Sequence, residues 1–151
     1  MSSYNKIYYH IVFCTKNRNK TLPLEHCDLL YQYMWGFTKT KNCKLFRING
    51  MEEHLHLFVS LHPSLSLADF MKDLKISSSL WLKNNTLFPL FSGWAKGYGA
   101  FTYCVRDADM IINYIKKQRE HHRKTEFKEE YKTLLIENKV EFDEKYFLLD
   151  E

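Results

Sequence analysis

Two rhythms of apolar residues run along this chain. Residues 6–14 (Lys6-Ile7-Tyr8-Tyr9-His10-Ile11-Val12-Phe13-Cys14) are dense in β-branched and aromatic side chains and predict a strand. From Leu22 to Thr40, Leu29, Leu30, Tyr33, Met34 and Phe37 recur at helical spacing. Lys44–Asn49 predicts a short strand, Asn49-Gly50 is a tight-turn signal, and the run from His54 to Leu61 supplies the returning strand of a hairpin. His62-Pro63-Ser64 ends that run. Ser66 and Asp69 form a capping pair for a helix from Leu67 to about Leu82, with Phe70, Met71, Leu74 and Trp81 as its apolar positions. Asn84–Lys96, which holds Pro89 and Gly93, reads as irregular. Tyr98–Val105 predicts a fourth strand, and Asp107 is placed to cap the helix that follows. Glu126–Asn138 predicts a further helix, and the acidic end from Glu141 reads as a tail.

The order β-α-β-β-α-β followed by helices predicts an α+β protein. Its frame is ferredoxin-like: an antiparallel sheet with two helices on one face and additional C-terminal helices. Alternate residues of a strand share a face. Leu55, Leu57, Val59 and Leu61 then lie under the helices, and His54 and His56 point to the opposite face, which this fold leaves open to a substrate. If Ile7, Tyr9, Ile11 and Phe13 also face the helices, His10 and Tyr8 join the histidines. The chain of 151 residues is 45% hydrophobic, which suits one domain over 1–151: a core at about 6–127, then a C-terminal helix and tail at about 128–151.

Composition narrows the setting. No run approaches about 18 apolar residues, and no leader-like segment precedes the first apolar run, so a soluble, cytoplasmic protein without a membrane partner is expected. Cys14, Cys27, Cys43 and Cys104 are widely spaced with no Cys-x-x-Cys, which fits reduced thiols and argues against a cysteine zinc site. The net charge of +4 permits a nucleic-acid partner without requiring one. The densest basic cluster, Lys116, Lys117, Arg119, Arg123 and Lys124, also reads as a solvated helix face.

The chemistry begins at His54-Leu55-His56. Two neutral imidazoles on one face can bind a divalent metal. About sixty residues later, Tyr114 and Gln118 stand one helical turn apart on one edge of the stripe made by 108, 111, 112 and 115, and His121 falls on the same edge. A helix laid beside the sheet face brings a phenol and an amide oxygen to the imidazoles. Nitrogen and oxygen ligands without thiolate fit Mg²⁺ or Mn²⁺ better than a structural zinc. A metal with open positions polarises a phosphoryl oxygen, and a tyrosine hydroxyl can attack phosphorus to form a phosphotyrosine. Such a link conserves the phosphodiester energy, so the expected reaction is nicking and rejoining. Taken singly, each feature has a structural reading: a sheet histidine pair, a packing tyrosine, a surface glutamine. Their combination in a compatible strand order is what points to a site.

With these residues in view, the sequence resembles the single-tyrosine HUH transposases and their relatives, the REP-associated tyrosine transposases. His54-Leu55-His56 corresponds to the His-hydrophobe-His motif, and Glu53 stands where an aspartate is usual. Trp94-x-x-Gly97-Tyr98-Gly99-Ala100-Phe101 resembles the segment leading into the last strand. Tyr114-Ile115-x-x-Gln118 with His121-His122 resembles the nucleophile helix. The resemblance implies that Tyr114 attacks single-stranded DNA, leaving a 5′-phosphotyrosine and a free 3′-hydroxyl. It implies that His54, His56 and Gln118 hold Mg²⁺ or Mn²⁺. It also implies a homodimer that recognises DNA with hairpin ends, in which Tyr114 acts in cis or in trans. Lys75, Arg18, Lys20 and Lys117 are candidate DNA contacts, and Glu53 and His121 are candidates for ordering the metal ligands. Two other readings stay open. One is a non-catalytic nucleic-acid-binding module like the RNA-recognition domains, or a domesticated relative. The other is a water-using phosphodiesterase.

Overall fold

The computed structural model describes residues 1–122 and 124–149, so Arg123 of the basic cluster and the last two residues lie outside it. The strands are β1 (Tyr8–Cys14), β2 (Lys44–Gly50), β3 (His54–Ser60) and β4 (Gly99–Tyr103). The helices are α1 (Cys27–Thr40), α2 (Leu67–Lys83), α3 (Ala108–Lys116), α4 (Gln118–His121) and α5 (Phe127–Glu137). All three strand pairings are antiparallel, in the order β2-β3-β1-β4. This is the ferredoxin-like arrangement predicted from the element order.

Local chemistry explains most boundaries. Pro23 cannot donate a backbone hydrogen bond, and Leu24–His26 forms a short 3-10 turn, so α1 starts at Cys27 and not at Leu22. Ser66 caps α2 as expected, its hydroxyl accepting from the Asp69 amide at 3.0 Å. Asp107 occupies the cap position of α3, but its side chain makes no cap bond there; it accepts instead from the Cys104 thiol. The helix bearing Tyr114 breaks at Lys117, whose amide bonds to both Asn113 and Tyr114 carbonyls.

The main core is sandwiched between one sheet face and α1 with α2. Leu55, Leu57, Val59, Ile11 and Phe13 meet Leu30, Met34, Phe70 and Leu74 there. Burying each such side chain is worth about 1.5–3 kcal/mol. The second face is not open, which corrects the expectation. Phe58 and Tyr8 pack with Ile111 and Ile115 of α3, and Val12 and Phe101 pack with Phe127, Leu134 and Leu135 of α5. The cause is legible in retrospect: the positions flanking the histidines on this face, Tyr8, Val12 and Phe58, are themselves apolar and need cover. The segment after Glu141 is also more than a tail, since Phe142, Phe147 and Leu148 pack onto the α5 cluster.

Candidate metal and tyrosine site

β3 presents His54 and His56 to the second face, and both are fully buried. The connection between β2 and β3 falls at residues 51–53 and not at the predicted Asn49-Gly50, which pair within β2; the Met51 amide bonds to the His54 carbonyl at 3.0 Å. Phe127 of α5 stacks on the His54 ring at 4.2 Å between centroids. Gln118 is buried, with its Oε1 3.3 Å from His54 Nε2. Tyr114 is half-buried, its ring 5.9 Å from that of His56 and 6.0 Å from that of His10. The predicted histidines, glutamine and tyrosine therefore meet within one chain.

Two residues of the cluster carry no assignment from sequence. Glu130, on α5, lies at the centre of the cluster and is 3% exposed. Its Oε1 is 3.1 Å from His56 Nε2, 2.9 Å from His122 Nε2 and 3.6 Å from His54 Nε2. Its Oε2 accepts a short hydrogen bond from the Tyr114 hydroxyl and one of 2.8 Å from the Gln118 amide. His122 reads from sequence only as half of the His121-His122 pair, and Glu130 falls on the apolar stripe of α5, three residues after Phe127 and four before Leu134, the one signal that could have found it. One donor atom each from His54, His56, His122 and Glu130 lie within 4.8 Å of one another, as a metal site requires. His121 is more peripheral, 3.5 Å from Glu130 Oε2 and partly exposed.

Outer partners fix the imidazoles. Glu53 Oε1 lies 2.7 Å from His54 Nδ1, and accepting that proton leaves the His54 Nε2 lone pair facing the cluster. His10 Nε2 lies 2.8 Å from His56 Nδ1 and orients that ring, whose Nε2 faces Glu130 Oε1 at 3.1 Å. Burial drives the His10 pKa well below its ordinary value and that of His56 down to about 4, with Glu130 opposing, so both rings are neutral. For Glu130 burial acts upward, but hydrogen bonds with His122 and His56 outweigh it and hold the carboxyl far below the usual range. Burial and the Glu130 charge raise the Tyr114 phenol. Glu53 is likewise lowered, burial opposing and the His54 hydrogen bond prevailing.

The remaining candidates divide. Lys117 is exposed and lines, with Tyr114, His121 and Lys124, a cavity of about 660 Å³ beside the phenol. Glu52 and Glu53 carbonyls accept from the Thr15, Thr21 and Leu22 amides, which ties the first loop to the site. Arg18 on that loop is half-buried, and Lys20 is exposed. Lys75 sits on α2, across the sheet, with its ammonium bonded to the Ala95 and Gly97 carbonyls at 3.0 and 2.5 Å. It braces the segment before β4 and is remote from the cluster. No aromatic platform of the kind used by RNA-recognition domains lies open on the sheet among the described residues.

A ferredoxin-like sheet with a buried histidine–glutamate cluster and a tyrosine against it defines the class. Residues 3–118 match the family model described as "Transposase IS200 like", and the chain belongs to that family. It is 25% identical over 122 residues to the ISDra2 transposase TnpA of Deinococcus radiodurans, covering 76% of this chain and 86% of that one. It is 28% identical over 120 residues to the transposase for insertion sequence element IS200 of Salmonella typhimurium, covering 76% and 78%. The crystal structure of a candidate transposase from D. radiodurans R1 superposes with a TM-score of 0.57 at 25% identity, over 78% of this chain and 95% of that one. A REP-associated tyrosine transposase bound to a REP hairpin shares the fold, with a TM-score of 0.60 at 14% identity, over 81% and 74%. No helix among the described residues is long and apolar enough to cross a membrane.

Proposed function

We propose that this transposase nicks and rejoins single-stranded DNA through Tyr114, with a divalent metal held by His54, His56 and Gln118. The observation that carries the reading is the Tyr114 hydroxyl bonded to Glu130 within the same cluster as both histidines. Tyr114 Oη attacks phosphorus, the bond from phosphorus to the 3′ oxygen breaks, and a 5′-phosphotyrosine and a 3′-hydroxyl result. The raised phenol stays protonated near neutral pH, so its proton must leave as attack proceeds, and Glu130 Oε2 is the acceptor already in contact. The leaving 3′ oxygen takes its proton from solvent. Attack of a 3′-hydroxyl on the phosphotyrosine reverses the step and restores the strand without ATP. The buried nitrogen and oxygen donors fit a divalent ion, which when bound polarises the phosphoryl group and stabilises the leaving oxygen. The expected substrate is single-stranded DNA with hairpin ends, and a homodimer is the expected assembly. Lys117 and Lys124 beside Tyr114 suit a phosphate backbone approaching from that side.

The test is a denaturing gel with end-labelled single strands copied from both flanks of the gene, with Mg²⁺ or Mn²⁺. Wild type should give a slow-migrating adduct that EDTA abolishes and Tyr114→Phe lacks. An adduct persisting in Tyr114→Phe, or a shortened strand without adduct, would overturn the assignment.

A further inference from the structure

We infer that a second cavity beside Tyr114, with His10 at its floor, takes one unstacked base of the DNA strand, that of a nucleotide flanking the phosphate under attack. The inference rests on the proposed function in taking Tyr114 as the point of attack.

Position is the first support. The cavity, of about 390 Å³, lies between β4, α3 and the C-terminal end of α5. That volume falls in the range of about 300–1,000 Å³ usual for small-molecule pockets. Met110 and Tyr114 line both this cavity and the one of about 660 Å³ that holds Lys117 and Lys124. A strand that brings phosphorus to the phenol from the lysine side therefore has the second cavity within reach of a neighbouring base.

Charge separates the two cavities. Lys117 and Lys124 outnumber Glu120 around the first, which suits phosphate. No lysine or arginine among the described residues lines the second. There Ile111 and Leu134 are apolar, Tyr103 gives an aromatic wall, and Glu137 adds an exposed carboxylate. Such a lining repels a phosphate and receives a flat uncharged ring. Proteins hold splayed bases in this way, by packing on aromatic and apolar side chains and by hydrogen bonds to the base edge.

His10 is the independent sign of a missing partner. It is fully buried, and its Nε2 lies 2.8 Å from His56 Nδ1. Its Nδ1, on the other side of the ring, is buried with no hydrogen-bond partner among the described residues. Buried polar atoms are rarely left so, and an imidazole nitrogen can donate to or accept from a base edge. Asn138 spends its amide nitrogen on the Leu134 carbonyl at 2.8 Å and presents its oxygen as an acceptor. Acceptors at Glu137 and Asn138 favour a base with an amino group, as in adenine, cytosine or guanine, over thymine. Leu134, Glu137 and Asn138 all lie beyond residue 118, where the family match ends, so the chain's C-terminal segment builds this wall.

The test is an abasic scan read by fluorescence anisotropy. A labelled single strand from the flank of the gene, with each nucleotide in turn made abasic, is titrated with the full chain in EDTA, so that no chemistry intervenes. Wild type should show one position, next to the phosphate cut in the adduct gel, where loss of the base weakens binding by about 5- to 100-fold. Thymine at that position should bind less well than a base with an amino group. Tyr103→Ala removes the wall and Asn138→Phe fills the space; both should lose the difference between intact and abasic strands, while Tyr103→Phe keeps it. If either fails to fold by circular dichroism, Glu137→Gln replaces it and should narrow the preference for amino-bearing bases. Equal affinity for intact and abasic strands at both nucleotides flanking the cut, or a difference that persists in Asn138→Phe, would overturn the inference. Absence of any adduct from wild type, with one base still required for binding and that requirement lost in Asn138→Phe, would instead refute the proposed function and leave a base as the occupant of the cavity.

Discussion

Gly50 offers a direct test of how tightly the hairpin sets the site. It ends β2 opposite Leu55, the residue between the two histidines. A methyl group placed on Gly50 would lie 2.9 Å from Leu55 Cα and 3.0 Å from the His54 carbonyl carbon, with the His54 carbonyl oxygen closer still. Ordinary carbon contacts are about 3.5–4.0 Å, so the backbone bearing His54 must move by at least about 0.5 Å. The obstacle is backbone and cannot rotate aside. Overpacking of this kind costs about 1–3 kcal/mol, which at this size lowers Tm by about 2–4 °C for each kcal/mol. Displacement of a reacting group by about 1 Å costs about 100-fold in rate. Gly50→Ala should therefore lose adduct formation out of proportion to its stability loss. The assay is thermal unfolding by circular dichroism alongside the labelled-strand gel. Gly36→Ala is the control, because its methyl would meet nothing within 4 Å in mid-α1 and should stabilise by about 0.4–1 kcal/mol. A Gly50→Ala protein with wild-type Tm and adduct yield would refute the reasoning.

Other perturbations have defined outcomes. Since folded His56, at about 4, and His10 bind protons less readily than their unfolded forms, the metal-free protein should hold this stabilisation above pH 6.5. It should lose it as pH falls toward 4, by up to about 3 kcal/mol for His56, measured by urea titration in EDTA; flat stability over that range would contradict neutral buried histidines. Lys117→Ala and Lys124→Ala should each weaken single-strand binding and flatten its salt dependence by about 0.7 in log–log slope; an unchanged slope would exclude the cavity beside Tyr114 as the DNA path. Because Tyr114 reaches its own chain's histidines, a mixture of Tyr114→Phe and His56→Ala proteins should give no more adduct than either alone. Restored adduct would instead mean exchange of the tyrosine between subunits.

The frame was legible in sequence because its signals are local. Period-two alternation in β3 and helical spacing in α2 each act within a few residues, and both reappear in the structure; the Asn49-Gly50 turn signal does not, since both residues pair within β2 and the connection falls at residues 51–53. Errors arose where local signals compete. Pro23 displaced the start of α1, and the break at Lys117 depends on how α3 docks, with Asn49 donating to the Lys116 carbonyl at 3.0 Å. The supposed open face failed for a readable reason. Two histidines drew notice to one side of β3 as polar, yet Phe58 on that side, with Tyr8 and Val12 beside it, already signalled a face that must be covered.

The site was half legible, and the division follows from its chemistry. His54, His56, Tyr114 and Gln118 stand at spacings that local geometry can read. Glu130 does not: in Phe127-Lys128-Glu129-Glu130-Tyr131 it is one of two adjacent glutamates, and only the docking of α5 decides which is buried. Phe127, three residues earlier, stacks on His54 and makes that choice. On a helix, positions three apart share a face, so a helix anchored to the sheet through Phe127 must turn Glu130 into the cluster and leave Glu129 in solvent. The apolar contact thus selects the carboxylate. An aromatic that packs on a histidine ring on the sheet identifies the acidic partner that its own helix delivers one turn later.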